Sequence, residues 1–120
     1  MIERIEGLQD NVLGFVAKGT VTADDYESVI MPAVETQLQR QPNIRFLYVL
    51  GDDFEGFEAA AMWDDAKLGL KHLADWEKIA VVTDVEWIRA ALLVLCFTMA
   101  NHVHVFTNAE LDIAKTWIAS

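Results

Sequence analysis

The fold is decided by residues 44–84, which read IRFLYVLGDDFEGFEAAAMWDDAKLGLKHLADWEKIAVVTD. The apolar runs Ile44–Leu50 and Lys78–Thr83 predict two strands that are buried on both faces, as is typical of parallel sheets. Gly51–Glu58, between the first strand and a helix, is predicted to be an acidic loop that carries Phe54 and Phe57. The whole stretch therefore predicts a parallel β-α-β unit.

The helix of this unit is predicted to be amphipathic, with one apolar and one polar face. The residues expected to be buried are Ala59, Met62, Trp63, Ala66, Leu70 and Leu73. The residues expected to face water are Asp64, Asp65, Lys67, Lys71 and His72. Because adjacent residues on a helix point about 100° apart, Asp64 and Asp65 are not expected to share one site.

The flanking segments repeat the alternation of strand and helix. Ile2–Ile5 and Val12–Gly19 predict an antiparallel hairpin, in which Gly14 indicates a bulge or a close backbone approach. Thr22 is predicted to cap a helix that Pro32 kinks or delays. His102–Phe106 and a helix capped by Asn108 complete the chain. We expect one α/β domain over residues 1–120, in which an N-terminal β-hairpin precedes β-α repeats and helices flank a mostly parallel sheet.

The helix that follows Asp84, its predicted N-cap, is apolar on nearly all sides. Its inward stripe is predicted to be Ile88, Ala91, Leu92, Leu95 and Met99. On the opposite side lie Ala90, Leu93, Val94 and Phe97. Two faces of this helix must therefore be covered, by the protein core, by a partner or by a ligand.

Composition and charge exclude several classes of partner. The formal net charge of −10 opposes nucleic-acid binding and electrostatic attraction to anionic lipid. The apolar run Ala90–Phe97 is too short to span a membrane, and the start, MIERIEGL, lacks a signal-peptide apolar region. The single cysteine, Cys96, fits a reducing compartment. We expect a cytoplasmic protein with at most peripheral membrane contact.

Several segments together resemble the SpoIIAA-like family, which shares the STAS-type fold of the anti-sigma-factor antagonists. They are the opening hairpin, YVLGDDFEGFE (48–58), MWDDAKLGLKHLADWEKIAVVTDVEW (62–87), HVHVF (102–106) and AELDIAKTWI (109–118). The resemblance implies a mostly parallel sheet flanked by helices and a non-enzymatic role. Some relatives look like binders of apolar ligands or membrane-associated proteins. The antagonists carry a phosphorylatable serine where this chain has Gly51–Glu58, which contains neither serine nor threonine, so a phosphoswitch at that position is chemically unavailable.

The loop Gly51–Glu58, called here the aromatic segment for its two phenylalanines, and the helix after Asp84 form the best candidate for a binding surface. Open α/β sheets bind ligands beyond the carboxyl ends of their strands. The candidate residues are Phe54, Phe57, Met62, Trp63, Trp87, Leu93, Val94 and Phe97. The first hypothesis is a non-catalytic module that binds an apolar or lipid-like ligand or contacts a membrane. The alternative is a protein–protein regulatory module in which the same surface meets a second copy or a partner chain.

No residue pattern indicates catalysis, a metal or a cofactor. His102 and His104 lie on one face of a predicted strand, but zinc needs a third ligand that the spacing does not supply. Cys96 is expected to be a packed, unreactive thiol. The chain lacks the motifs of nucleotide-binding loops, serine hydrolases and zinc proteases. We therefore expect no enzyme activity, no metal and no cofactor.

Overall fold

A five-stranded sheet forms the centre of the molecule. The computed structural model describes residues 1–71, 75–98 and 102–120, without the side chains of residues 69, 70 and 95–98. The strands are β1 (Ile2–Arg4), β2 (Val12–Val21), β3 (Ile44–Phe57), β4 (Trp76–Thr83) and β5 (Val103–Phe106), in the spatial order β1-β2-β3-β4-β5. β1 pairs with β2 in antiparallel orientation, and the remaining pairs are parallel. The predicted α/β fold, with its hairpin and mostly parallel sheet, is confirmed.

Helical segments cover both faces of the sheet. They are α1 (Ala23–Asp25), a π-helical turn (Tyr26–Ile30), α2 (Met31–Arg40), α3 (Ala59–Lys71), α4 (Glu86–Thr98), a 3-10 turn (Asn108–Glu110) and α5 (Leu111–Ala119). Side chains alternate along β3, so that Phe46, Tyr48 and Leu50 face one layer while Leu47 and Val49 face the other. The first layer contains the helical segments up to α4, and the second contains α5. No helix within the described ranges is long and apolar enough to cross a membrane.

The helical segment that begins after Thr22 is interrupted before Pro32, as predicted. The Thr22 hydroxyl accepts a hydrogen bond from the Asp25 backbone N–H, and the Asp25 carboxylate accepts one from the Thr22 backbone N–H, which completes a capping box. Five residues of π-helix follow, and α2 then begins at Met31 with Pro32 in its first turn. Proline lacks an N–H and clashes with the preceding turn, which accounts for the break.

The prediction of a loop at Gly51–Glu58 is wrong, because β3 continues through this segment to Phe57. The extension pairs in parallel with the end of β2, where Gly19 lies opposite Phe54 and Val21 opposite Phe57. The register shifts around Gly19, which has a positive φ of 60°. The acidic residues of the segment are exposed to solvent, and this acidic composition is the reason that the sequence predicted a loop. The strand that pairs with the segment is distant in sequence.

Two predicted helix caps differ in the structure. α4 begins at Glu86, and the hydrogen bond that the Asp84 carboxylate accepts comes from the backbone N–H of Asn108, at 2.9 Å, rather than from α4. Asn108 does not cap the final helical segment either. That position belongs to Thr107, which forms a capping box with Glu110. Both differences shift a helix start by one or two residues without changing the order of the elements.

Gly14 lies where the backbone of β2 approaches the turn of the hairpin, as its position in the sequence suggested. A Cβ atom at Gly14 would meet the side chains of Leu8 and Ile5. At Gly51, by contrast, a Cβ atom would meet no atom within 4 Å and φ is not positive.

We expect Gly14→Ala to lower the free energy of unfolding by about 1 kcal/mol, because the added methyl group overfills this contact. Urea unfolding curves of the two variants and the parent protein measure the effect. The matched variant Gly51→Ala should change stability by less than about 0.5 kcal/mol. Equal effects at the two positions would contradict a close approach at Gly14.

Candidate functional site

A cavity of about 280 Å³ lies between the sheet and the helical layer that contains α3 and α4. β3, β4 and β5 form its floor, while the π-helical turn, α3 and α4 form its walls and rim. Its apolar lining consists of Ile30, Phe46, Leu50, Phe57, Met62, Leu68, Trp76, Ile79, Val81, Trp87, Ile88, Ala91, Leu92 and Val103. Such a lining matches the composition of small-molecule sites, which are mostly apolar with a few placed polar groups.

Three polar side chains meet in this cavity, and they form one hydrogen-bonded chain. The Tyr26 hydroxyl donates to Oδ1 of Asp65 at 2.9 Å. The hydroxyl oxygens of Tyr26 and Tyr48 lie 3.0 Å apart. Tyr26 comes from the π-helical turn, Tyr48 from β3 and Asp65 from α3, so three elements meet here. Single turns of π-helix occur frequently at functional sites, and this one places Tyr26 in the cavity wall.

Burial changes the protonation chemistry of all three groups. Desolvation, followed by the nearby charge of Asp65, raises the pKa of Tyr26, and desolvation likewise raises the pKa of Tyr48. Both phenols therefore keep their protons at neutral pH. Desolvation also raises the pKa of the Asp65 carboxyl group, and the hydrogen bond from Tyr26 opposes this change. Protein atoms crowd this carboxyl group, yet the residue stays open to solvent on the cavity side.

The predicted orientation of α3 is wrong. Ala61 and Leu68 are buried and Asp64 is only 4% exposed, whereas Trp63, predicted to be buried, is 66% exposed. Asp65 is exposed, as predicted, but it also lines the cavity. The buried phenols supply a physical reason, because a hydroxyl taken from water needs a hydrogen-bond partner and Asp65 provides it.

Of the remaining burial predictions for α3, some are wrong and others are confirmed. Ala59, Met62 and Ala66, which were expected to be buried, are exposed. Lys67 and Lys71 are exposed as predicted, and Lys67 forms an ion pair with Asp64 at 3.3 Å. The predictions for the side chains of Leu70, His72 and Leu73 lie outside the described residues. A helix whose acids turn inward and whose aromatic residue turns outward cannot be oriented from apolar spacing alone.

Three of the predicted binding residues, Phe57, Met62 and Trp87, line the cavity. Phe54 does not line it but supports its wall, since its ring lies 4.9 Å from that of Phe57. Both phenylalanines belong to the unpredicted extension of β3. The structure thus brings residues from the aromatic segment, α3 and α4 together at one cavity.

The other predicted binding residues are not part of this cavity. Trp63 lies on the exposed side of α3, and Leu93 and Val94 are 59% and 69% exposed on α4. Ile88 is buried and Leu92 half-buried on the inner side of α4, in agreement with its predicted inward stripe, although Ala91 is exposed along the cavity. The side chains of Phe97, Leu95, Cys96 and Met99 lie outside the described residues.

His104 in β5 and His102, which directly precedes this strand, have structural partners. His104 stacks on Trp117 with ring centres 4.2 Å apart, and Nδ1 of His102 lies 3.0 Å from the Glu77 carbonyl oxygen. Within the described part of the chain, no three metal-ligating side chains come together. The cavity is therefore the candidate site that the structure supports.

Sequence reasoning missed Tyr26, Tyr48 and Asp65, although one signal was present. Tyr48 interrupts an aliphatic strand and Tyr26 lies on the apolar face of the first helix, so both positions predict a buried hydroxyl. A buried hydroxyl needs a partner, and a carboxylate on a neighbouring helix can provide one. The sequence does not show which acidic residue does so.

We expect Asp65→Asn to gain stability relative to the parent protein as pH rises. A raised pKa in the folded state means that ionisation of Asp65 opposes folding, so the parent protein loses stability from about pH 4 up to that folded pKa. Asparagine does not titrate, and its carbonyl oxygen still accepts from Tyr26. Urea unfolding of both proteins between pH 4 and 8 measures the difference, and a pH-independent difference would contradict a raised pKa of Asp65 in the folded state.

Comparison with known proteins supplies the family. The family model described as SpoIIAA-like matches residues 12–119. The crystal structure of an uncharacterized protein with a SpoIIAA-like fold from Shewanella loihica PV-4 aligns with a TM-score of 0.76 and 28% identity, covering 98% of this chain and 92% of that chain. A comparison with curated proteins gave no match. The fold is generally that of regulatory or binding modules rather than enzymes. The chain belongs to the SpoIIAA-like family.

Proposed function

We propose that the protein is a non-catalytic module that binds a small, mostly apolar molecule in the cavity between the sheet and α3 and α4. One observation carries this proposal: the protein's own side chains leave an apolar cavity of about 280 Å³ with Tyr26, Tyr48 and Asp65 converging on it. Apolar walls give affinity by removing ligand surface from water, and a few polar groups fix its orientation.

The size of the cavity limits the ligand. An apolar cavity of roughly 150 Å³ in another protein accommodates benzene, so a cavity of about 280 Å³ suits one aromatic ring with a short chain or a medium alkyl chain. A full membrane lipid does not fit inside it. Only part of such a molecule, one short chain or a head group, could enter.

The rim of the cavity indicates where a ligand enters. Met62 on α3 and Trp87 on α4 both line the cavity and are 47% and 53% exposed. Ala91, one turn beyond Trp87, is also exposed on the cavity side. Residues that face both solvent and cavity mark its mouth, so the entrance lies between α3 and α4.

We expect Ala91→Phe to weaken the binding of a neutral probe, 4-phenylbutanol, by at least about tenfold, because the added ring occupies the space that the probe needs. The control is Ala90→Phe, which places the same ring on the adjacent, exposed residue of α4 that does not line the cavity. Isothermal titration calorimetry measures both affinities, and the fluorescence of Trp76 and Trp87 reports occupancy of the cavity.

The proposal is wrong if the probe does not bind the parent protein. It is equally wrong if the probe binds both variants as tightly as the parent. A far-ultraviolet circular dichroism spectrum equal to that of the parent shows that each variant keeps its fold.

A second candidate function, self-association, is favoured by the outer apolar residues of α3 and α4. Trp63, Leu93 and Val94 are largely exposed and lie outside the cavity. Exposed apolar surface stabilises contacts at roughly 25 cal/mol per Å² removed from water, and symmetric dimers are the commonest assemblies that use it.

We expect the double variant Leu93→Asp with Val94→Asp to be a monomer at concentrations where the parent protein dimerises, since two charges would have to be buried in the contact. Sedimentation velocity measures the mass of each. Binding of 4-phenylbutanol should be unchanged, because neither residue lines the cavity. A parent protein that stays monomeric up to about millimolar concentration (a range reached by weak contacts) would rule out self-association.

A further inference from the structure

The hydrogen bond from Tyr26 to Asp65 determines which group donates and which accepts in the contacts among Tyr26, Tyr48 and Asp65. A tyrosine hydroxyl has one proton, and that of Tyr26 is donated to Asp65. The contact between Tyr26 and Tyr48 must therefore use the proton of Tyr48. Both hydroxyl protons are therefore used in hydrogen bonds among these three side chains, and neither is available to a ligand.

When Asp65 is ionised, these three side chains consequently offer only hydrogen-bond acceptors to the cavity. The Tyr48 oxygen keeps lone pairs, and Oδ2 of Asp65 has no hydrogen-bond partner among the described residues. An ionised carboxylate only accepts hydrogen bonds. A ligand that satisfies this end of the cavity must bring the donors itself, as an alcohol, an amide N–H or an amine does.

The charge of the cavity lining further restricts the class of ligand. Asp65 is the only charged residue among those that line the cavity within the described ranges, and no lysine, arginine or histidine faces it there. A carboxylate in apolar surroundings is strongly favoured by an opposite charge, which here has to come from the ligand. A bound cation also favours the ionised form of the carboxylate and so offsets its desolvation.

Two further features favour a cation. Tyr26, Tyr48, Phe57 and Trp87 surround this end of the cavity or its mouth, and aromatic faces attract ammonium groups. The net charge of −10 raises the local concentration of cationic molecules around the protein. Both effects act against a fatty acid or any other anionic amphiphile.

We propose that the ligand is an amphiphilic amine whose protonated nitrogen binds Oδ2 of Asp65 and whose apolar body fills the cavity. This inference rests on the proposed function, since it assigns the head group of the ligand that the cavity takes. Asp65 sets specificity, and the surrounding apolar residues supply affinity that does not depend on the head group.

Three probes with one body and different head groups test the inference: 4-phenylbutylamine, 4-phenylbutanol and 4-phenylbutyrate. At neutral pH the amine is a cation and the acid an anion. Isothermal titration calorimetry of the parent protein should show the amine binding at least about tenfold more tightly than the alcohol, because its hydrogen bond to Asp65 is charge-assisted. The carboxylate should bind at least about tenfold more weakly than the alcohol because it repels Asp65.

Two matched variants assign the selectivity to one carboxylate. Asp65→Asn should reduce the advantage of the amine over the alcohol to within about threefold, while the affinity for the alcohol stays close to that of the parent. Asp64→Asn removes the adjacent carboxylate, which pairs with Lys67 and does not line the cavity, and should leave the selectivity intact. Both changes keep the shape of the side chain, so the fold is expected to persist.

The outcomes separate this inference from the proposed function. If all three probes bind equally, or if the carboxylate binds best, the assigned head group is wrong and the apolar cavity remains the binding site. Selectivity that survives Asp65→Asn, or that is lost in Asp64→Asn, also overturns the inference. If none of the probes binds the parent protein, the proposed function itself fails.

Discussion

The buried hydroxyl groups of Tyr26 and Tyr48 impose the constraint on which the site depends. Both side chains are buried in the layer between the sheet and the helices. A hydroxyl without a partner in such a place costs about 1–3 kcal/mol. Asp65 on α3 supplies the partner of Tyr26, and Tyr26 in turn is the partner of Tyr48. The hydrogen bond between Tyr26 and Asp65 thus gives a physical reason for the orientation of α3.

The same orientation explains why apolar residues emerge at the surface. With Ala61, Asp64 and Leu68 facing inward, Met62 and Trp63 of α3 turn outward. Small and polar side chains on the inner side of the helix fill less space than Trp63 would, and the cavity lies beside them. The cavity and the exposed apolar residues are therefore two consequences of one helix orientation. A charged group in the cavity wall lowers stability, which is a common trade-off at binding sites.

Much of the fold follows from local pattern. The apolar runs of β3 and β4, the hairpin, the capping box at Thr22 and the break before Pro32 are each determined by residues close in sequence. The sequence left open what covers Leu93 and Val94, and the structure shows both side chains exposed. Of the binding residues that the sequence suggested, Phe57, Met62 and Trp87 meet at the cavity.

The sequence by itself determined the order of strands and helices and the parallel pairing, because apolar periodicity and turn residues act over a few positions. The resemblance of its segments to the SpoIIAA-like family also needed no structure. Only the tertiary structure decided that residues 51–57 form a strand, because their backbone partners Gly19, Thr20 and Val21 lie far away in the sequence, in β2. It also decided that Asp65 accepts a hydrogen bond from Tyr26 while the adjacent Asp64 pairs with Lys67. Which of two adjacent acids meets a buried hydroxyl depends on the rotation of a helix, and that rotation is set by contacts between elements rather than by the residues within one.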